Sequence, residues 1–385
     1  MIEEVKAGKL YLYLGMADKN NNNKIEKKVV GEGYKEEYDI DKNEELVKAE
    51  ILYALHFIKQ NVDDKILQEN PLTDEDKKVL LEIFNKKLQF DLKINDEYNR
   101  AQALADLAKE IAPVDFGNED LKNLFGSIVK EIKGITPKKY YPKANFLGDI
   151  ASIIPDAEMK KSDIRELFNS ILKASYDIED KRSGENLRGI VAVAMAKAGF
   201  LDDALEIVDG IKENVDPNIK KDALMGISIA LSQGGLNKEQ LTKVLMKLIN
   251  ITKGLENNAF RDLVYGVITR AAARVKMIKI SENTVEKINN PYYKNQGYCG
   301  MCFGLAEAGE YDLAIEKTRI INDSFIKCMT YAFIVVSIKK ADIKEEDKEK
   351  LTNKVINELN TYLDVQWRDK ALELIENEKS AKTNK

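Results

Sequence analysis

Two of the chain's three cysteines stand as Cys299-Gly-Met-Cys302 in the stretch YCGMCFGLAEAG, residues 298–309. A C-x-x-C puts two thiols on one side of a helix, which could begin a zinc site or a dithiol redox pair. Zinc wants about four soft ligands. Cys328 could be a third, but the only histidine, His56, lies far up the chain. A thioredoxin-like pair needs a strand leading into the helix N-terminus that holds the thiols, and no strand pattern precedes this motif. The expectation is that both cysteines act as small apolar side chains. No metal and no cofactor is expected, and any chemistry here would rest on Cys299 alone.

Other chemistry-bearing stretches read the same way. Residues 18–29, DKNNNNKIEKKV, place oxygens at the first, third and fifth positions of a calcium loop. Val29 stands where a bidentate acid is required, so an Asn-rich turn is expected instead. His56 in YALHFIK has no acid or hydroxyl partner that the sequence can place, and reads as a packed helix residue. The chain has no glycine-rich phosphate loop, H-E-x-x-H or G-x-S-x-G. It is therefore expected not to be an enzyme.

The elements that hold these residues are helical. The 385 residues are 44% hydrophobic and 32% charged with a net charge of −5, a core-forming composition with no general attraction for polyanions or anionic lipid. The opening MIEEVKAGKL lacks an apolar signal core, and no run approaches the length of a membrane helix. Three cysteines do not make a disulfide framework, so the expected compartment is the cytoplasm, with no membrane partner.

From about residue 43 the apolar spacing is helical, and a gapless frame recurs. Its starts are Arg100, Lys143, Gly184, Lys221, Arg261, Lys294, Lys327 and Arg368, separated by 33 to 43 residues, room for two helices and two turns. The sixth place reads Ala105, Gly148, Gly189, Gly226, Gly266, Cys299, Ala332 and Glu373. Small residues there would let stacked helical hairpins approach closely. Residues 1–42 differ: KLYLYLG alternates as a strand does, and a small β-like or extended cap is expected. Residues 43–377 form the repeat region and 378–385 a frayed polar tail.

The frame's first place is Arg or Lys in seven of eight units. Such a ladder could hold a polyanion; the favoured expectation is that each cation pairs with acids of a neighbouring unit. Lysines with paired tyrosines in PKKYYPK (137–143) and PYYKNQ (291–296) could stack bases, but they fall in inter-unit turns with no basic groove beside them. Nucleic acid is thus not the expected partner.

Two units, AVAMAKAGFLDDALEIV and GMCFGLAEAGEYDLAIEK, share A-x-A-G-x-x-x-x-A-[LI]-E and resemble the tetratricopeptide repeat family. The matching positions are Ala192, Gly199 and Ala204, then Cys302, Gly309 and Ala314. The resemblance implies that Cys302 packs against Ala314 inside a hairpin, and that first helices line a concave face which binds peptides or partner helices. On the frame, that face takes the third, sixth, tenth and thirteenth places. Its polar and aromatic members are Gln102, Lys109, Asn145, Ser152, Asn186, Gln233, Arg270, Gln296, Phe303 and Lys339. The expected fold is all-α, a right-handed α-solenoid of eight or nine hairpins. The expected function is a noncatalytic scaffold or adaptor for a protein or peptide partner. The alternatives are a small-molecule pocket inside a curved array, catalytic or not, and a nucleic-acid binder using the basic ladder.

Overall fold

A computed structural model describes residues 74–135, 143–231, 236–361 and 365–380. The expected N-terminal cap, the Asn-rich turn, His56, Tyr140 and Tyr141, Gln233 and residues 381–385 lie outside them. All regular structure among the described residues is helical, sixteen α-helices and one short 3-10 turn, compatible with a helical-repeat fold. The chain divides into two compact units, Met1–Asp163 and Ile164–Lys385.

In the first unit, α1 (Asp74–Asp91), α2 (Glu97–Ile111), α3 (Asn118–Gly134) and α4 (Lys143–Ile153) are followed by the 3-10 turn Ile154–Asp156. α3 shows why such sequences fold as helices on a core. Leu121, Leu124, Phe125, Ile128, Val129 and Ile132 recur at three- and four-residue steps, and all six are buried. Leu104, Leu107 and Ile111 of α2 and Leu147 and Ile150 of α4 are buried as well, and both helices pack against α3.

The second unit begins inside α5 (Lys161–Tyr176) and continues through α6 (Lys181–Lys197), α7 (Leu201–Asp209), α8 (Pro217–Ala230) and α9 (Lys238–Lys253). Then come α10 (Asn258–Arg274), α11 (Ile278–Val285), α12 (Pro291–Glu307), α13 (Tyr311–Thr318), α14 (Ser324–Lys340), α15 (Glu345–Asn360) and α16 (Val365–Ser380). Here α6, α8, α10, α12, α14 and α16 pack each against the next, while α6 to α14 of this series each also pack against the shorter or outer helix that follows. All eight frame starts fall in alternate helices, α2, α4 and then α6 to α16.

The helix starts are written in a signal that the frame did not use. Asp96, Asp180, Asp216, Asn257, Asn290 and Asp323 are N-caps, each accepting a backbone N–H from the first turn at 2.8 to 3.1 Å. A side-chain oxygen there satisfies a donor that the helix cannot. The cap lies four residues before the frame start in five of these helices, but five before Lys221. The fourth unit is therefore slipped by one and begins at Lys220. Burial agrees: counted from Lys220, Ser228 falls level with the buried Ala192 and Cys302 of other units and is 0% exposed, whereas Ile229, which the start at Lys221 would put there, is 57% exposed.

The re-registered first place has a role other than the one expected of it. Arg100 donates to Ile94 O at 2.8 Å, Lys220 to Asp209 O at 3.2 Å, Arg261 to Leu255 O at 3.4 Å and Lys327 to Arg319 O at 3.0 Å. Lys143 donates to Ile135 O at 3.1 Å and also to Lys133 O. Each cation thus meets carbonyls at or just past the end of the preceding helix, where the backbone dipole favours positive charge. Carboxylate partners of a neighbouring element are present as well, for Arg100 with Glu131 at 3.1 Å and Lys294 with Glu286 at 2.8 Å. The helix end is nevertheless the partner in five of the eight units. Among the described residues Lys294 and Arg368 meet only the carboxylates Glu286 and Asp369, and Gly184 carries no cation for a steric reason, since a Cβ there would lie 2.7 Å from Ser175 O.

Hairpin turns repeat too. Gly199 and Gly309 sit at φ 88° and 78°, closing Schellman motifs in which Phe200 N–H reaches Met195 O and Glu310 N–H reaches Leu305 O. α10 ends identically, with Met277 N–H on Ala272 O, but the left-handed residue is Lys276 at φ 60°. The small-residue places follow the same spacing: Ala192 and Ala204, Thr269 and Ser281, Cys302 and Ala314 are all 0% exposed. Ser281 Oγ donates to Thr269 O at 2.8 Å, so a polar pair fills the place taken elsewhere by apolar groups.

Candidate functional site

The site starts from one close helix contact. In α12, Gly297, Gly300 and Gly304 lie on the side facing α10 or its hairpin. A Cβ at Gly304 would fall on the Arg270 carbonyl oxygen and 2.9 Å from both Ala273 Cβ and Arg274 N. With the two backbones this close, long side chains on the exposed side of α10 reach those of α12. Arg270 donates to Glu307 Oε1, Arg274 Nε lies 3.6 Å from Glu307 Oε2, and the Arg270 guanidinium stands 5.6 Å from the Phe303 ring centre. Phe303 stacks on Phe333 of α14 with centroids 3.8 Å apart.

These residues edge a groove of about 570 Å³ that crosses α8, α10, α12 and α14. Its lining is mainly apolar: Met225, Ile229, Leu263, Val267, Ala271, Phe303, Phe325, Ile326 and Met329, with Tyr293, Gln296, Ser228 and Cys299 among them. Ile229 and Phe325 are exposed, at 57% and 43%. Asp262 at the same groove is buried and accepts the N–H groups of Asn290 at 3.0 Å and Asn289 at 3.5 Å, which fixes the turn into α12.

The three cysteines separate by position. Cys302 and Cys328 are fully buried in one core with Ala314, and burial pushes the Cys302 thiol up to about 12. Cys299 is half-buried and borders the groove. Burial raises its thiol above the ordinary value, against the smaller opposing effects of its Thr330 hydrogen bond and the Arg270 charge. Among the described residues no group of three or more His, Cys, Asp or Glu side chains could hold a metal, and no helix is long and apolar enough to cross a membrane.

Of the residues expected to line a binding face, the groove brings together Arg270, Gln296 and Phe303. Gln102, Lys109, Asn145 and Ser152 belong to the first unit. There Gln102 bonds Asp106 at 3.0 Å, Lys109 bonds Asp149 at 2.9 Å, Ser152 Oγ returns to Gly148 O at 2.8 Å, and Asn145 is exposed. Asn186 is exposed on α6. Lys339 is half-buried and donates to Ile375 O in α16, away from the groove.

The groove stripe follows the frame at the third, sixth, seventh, tenth and fourteenth places: Leu263, Gly266, Val267, Arg270 and Arg274 on α10, and Gln296, Cys299, Gly300, Phe303 and Glu307 on α12. A period of 3.6 residues reaches the fourteenth place rather than the thirteenth, which is why Arg274 and Glu307 were passed over and Lys339 was not. Ile229 is apolar and so outside a reading confined to polar and aromatic residues; anchored on Asp216, it takes the tenth place with Arg270 and Phe303.

No protein-family model matches the chain, and no curated protein does. A solved structure, Ton1535 from Thermococcus onnurineus NA1, is similar at 16% identity over 84% of this chain and 99% of that chain, with a TM-score of 0.29. A likeness of that size carries no argument about fold or function.

Proposed function

We propose that the chain is a noncatalytic scaffold, a tetratricopeptide-like solenoid of helical hairpins working in the cytoplasm, that captures a peptide or partner helix on its first-helix face. The observation that carries this reading is the open apolar groove with exposed Ile229 and Phe325 on its lining. An apolar surface left open to water favours a partner that covers it. Neighbouring packed helices lie about 8–10 Å apart, so four of them span about 24–30 Å. That length suits about four or five turns of an amphipathic helix, laid in the groove by its apolar face. The noncatalytic part of the reading is supported by the groove's own polar groups. Asp262 is occupied by backbone N–H groups, and burial raises the Cys299 thiol above its ordinary value, away from a reactive thiolate. The basic ladder, spent on helix ends, offers no support for a nucleic-acid function.

Ile229 and Met246 are equally exposed, at 57% and 56%, but Met246 lies on α9 outside the groove. A photo-crosslinking amino acid placed at position 229 in cells should trap a discrete protein adduct that the same group at position 246 does not. Identical adducts from both positions, or none from 229, would overturn the reading.

A further inference from the structure

We propose that the groove selects a segment carrying an acidic side chain among its apolar ones, and that Glu307 is an in-chain placeholder for that acid. The inference rests on the capture reading above and names the partner's chemistry. Its basis is an imbalance in the groove wall. Arg270 and Arg274 each carry five N–H donors and no acceptor. They converge on a single carboxylate, Glu307, through one hydrogen bond and one ion pair at 3.6 Å. Both arginine side chains are 44% exposed, whereas Glu307 is 20% exposed, so the unspent donors and the net positive charge are on the accessible side.

Asp262 is the groove's other carboxylate, so the lining as a whole is balanced in charge. Asp262, however, is buried, lies about two helical turns from Arg270 along α10 and accepts the N–H groups of Asn289 and Asn290, while Gln296, Tyr293 and Ser228 are neutral. In a chain whose net charge is −5, this patch of two guanidiniums against one carboxylate runs against the average. Phe303 lies under Arg270 and continues into the apolar lining, so a carboxylate on the arginines would have apolar neighbours one helical turn away. The occupant that fits is an amphipathic helix with one Glu or Asp beside its apolar stripe. When it binds, its carboxylate takes guanidinium donors, and Glu307 must share them or swing away.

The test uses the full chain and three fluorescein-labelled amphipathic peptides on one leucine- and alanine-rich helical frame, differing only in a central Glu, Gln or Lys. Binding is read by fluorescence anisotropy. The Glu peptide should bind about tenfold more tightly than the Lys peptide, since charge-assisted bonds to arginine are the stronger kind and like charges repel. In the Arg270→Gln/Arg274→Gln protein that preference should shrink to within about twofold, and in Glu307→Gln it should widen as the internal competitor is lost. Equal binding of the Glu and Lys peptides by the unaltered protein, or preference for Lys, overturns the inference and leaves groove capture standing. No binding of any of the three overturns both. The comparison on the unaltered protein does not depend on any variant folding.

Discussion

Gly304→Ala adds one methyl group where α12 lies on α10, and its effect can be worked from the contacts. In an isolated helix interior, Ala is favoured over Gly by about 1 kcal/mol. Here the new carbon meets the Arg270 carbonyl oxygen, Ala273 Cβ and Arg274 N, three atoms tied to the α10 backbone, so no flexible side chain can turn aside. Overpacking of that kind costs about 1–3 kcal/mol, and the upper part of the range applies when backbone must move. The net expectation is a loss of about 1–2 kcal/mol. Gly126→Ala is the matched control: it lies inside α3 with nothing within 4 Å of the added carbon, and should gain up to about 1 kcal/mol. Denaturant unfolding followed by far-ultraviolet circular dichroism measures both. A Gly304→Ala protein as stable as the unaltered chain, or one that gains as much as Gly126→Ala, would refute the claim that glycine sets the α10–α12 distance.

Three further outcomes follow from the geometry. Lys276→Gly relieves a left-handed lysine and gives up an exposed ion pair with Glu310, so thermal unfolding should shift upward by the equivalent of about 0.5–1 kcal/mol; a downward shift would contradict the shared turn. Ser228→Ile should cost about 1–3 kcal/mol while Ile229→Ser stays within about 0.5 kcal/mol, and the reverse order would restore the original register. In the folded protein, a thiol reagent should react slowly with Cys299 alone, faster as pH rises toward its raised thiol value, and with Cys302 and Cys328 only after unfolding; fast reaction at neutral pH would contradict the burial effect.

The helical frame was legible because small residues and apolar steps recur on any helix that stacks against its neighbours. All eight starts landed in alternate helices on that basis. What escaped notice was mostly punctuation. The Asp and Asn caps are common residues whose meaning appears only relative to the helix start, and without them a glycine at 226 drew the fourth unit out of register. Lys276 carries no turn signal, so the third hairpin of the same geometry could not be matched to its two glycine siblings. The basic first place was visible, but its partner is a backbone carbonyl, which no side-chain pattern can announce. The groove was half legible: Arg270 and Gln296 were named as polar and Phe303 as aromatic, while the aliphatic lining was left out. Glu307 and Arg274 sat one step beyond a stripe drawn with too short a period.

A cap paired with a cation, as at the starts of α2, α8, α10 and α14, has a consequence for how such a chain can change. The cap fixes where a helix begins, and four residues later the cation grips the end of the helix before it, so these joints are sealed by residues on their own two sides. The chain between one seal and the next may then lengthen or shorten without disturbing how the following helix is seated. Within the second unit the starts at Lys220, Arg261, Lys294 and Lys327 are 41, 33 and 33 residues apart, a spread that such joints accommodate. Whole hairpins cut from cap to cap would be the natural modules to delete, duplicate or transplant.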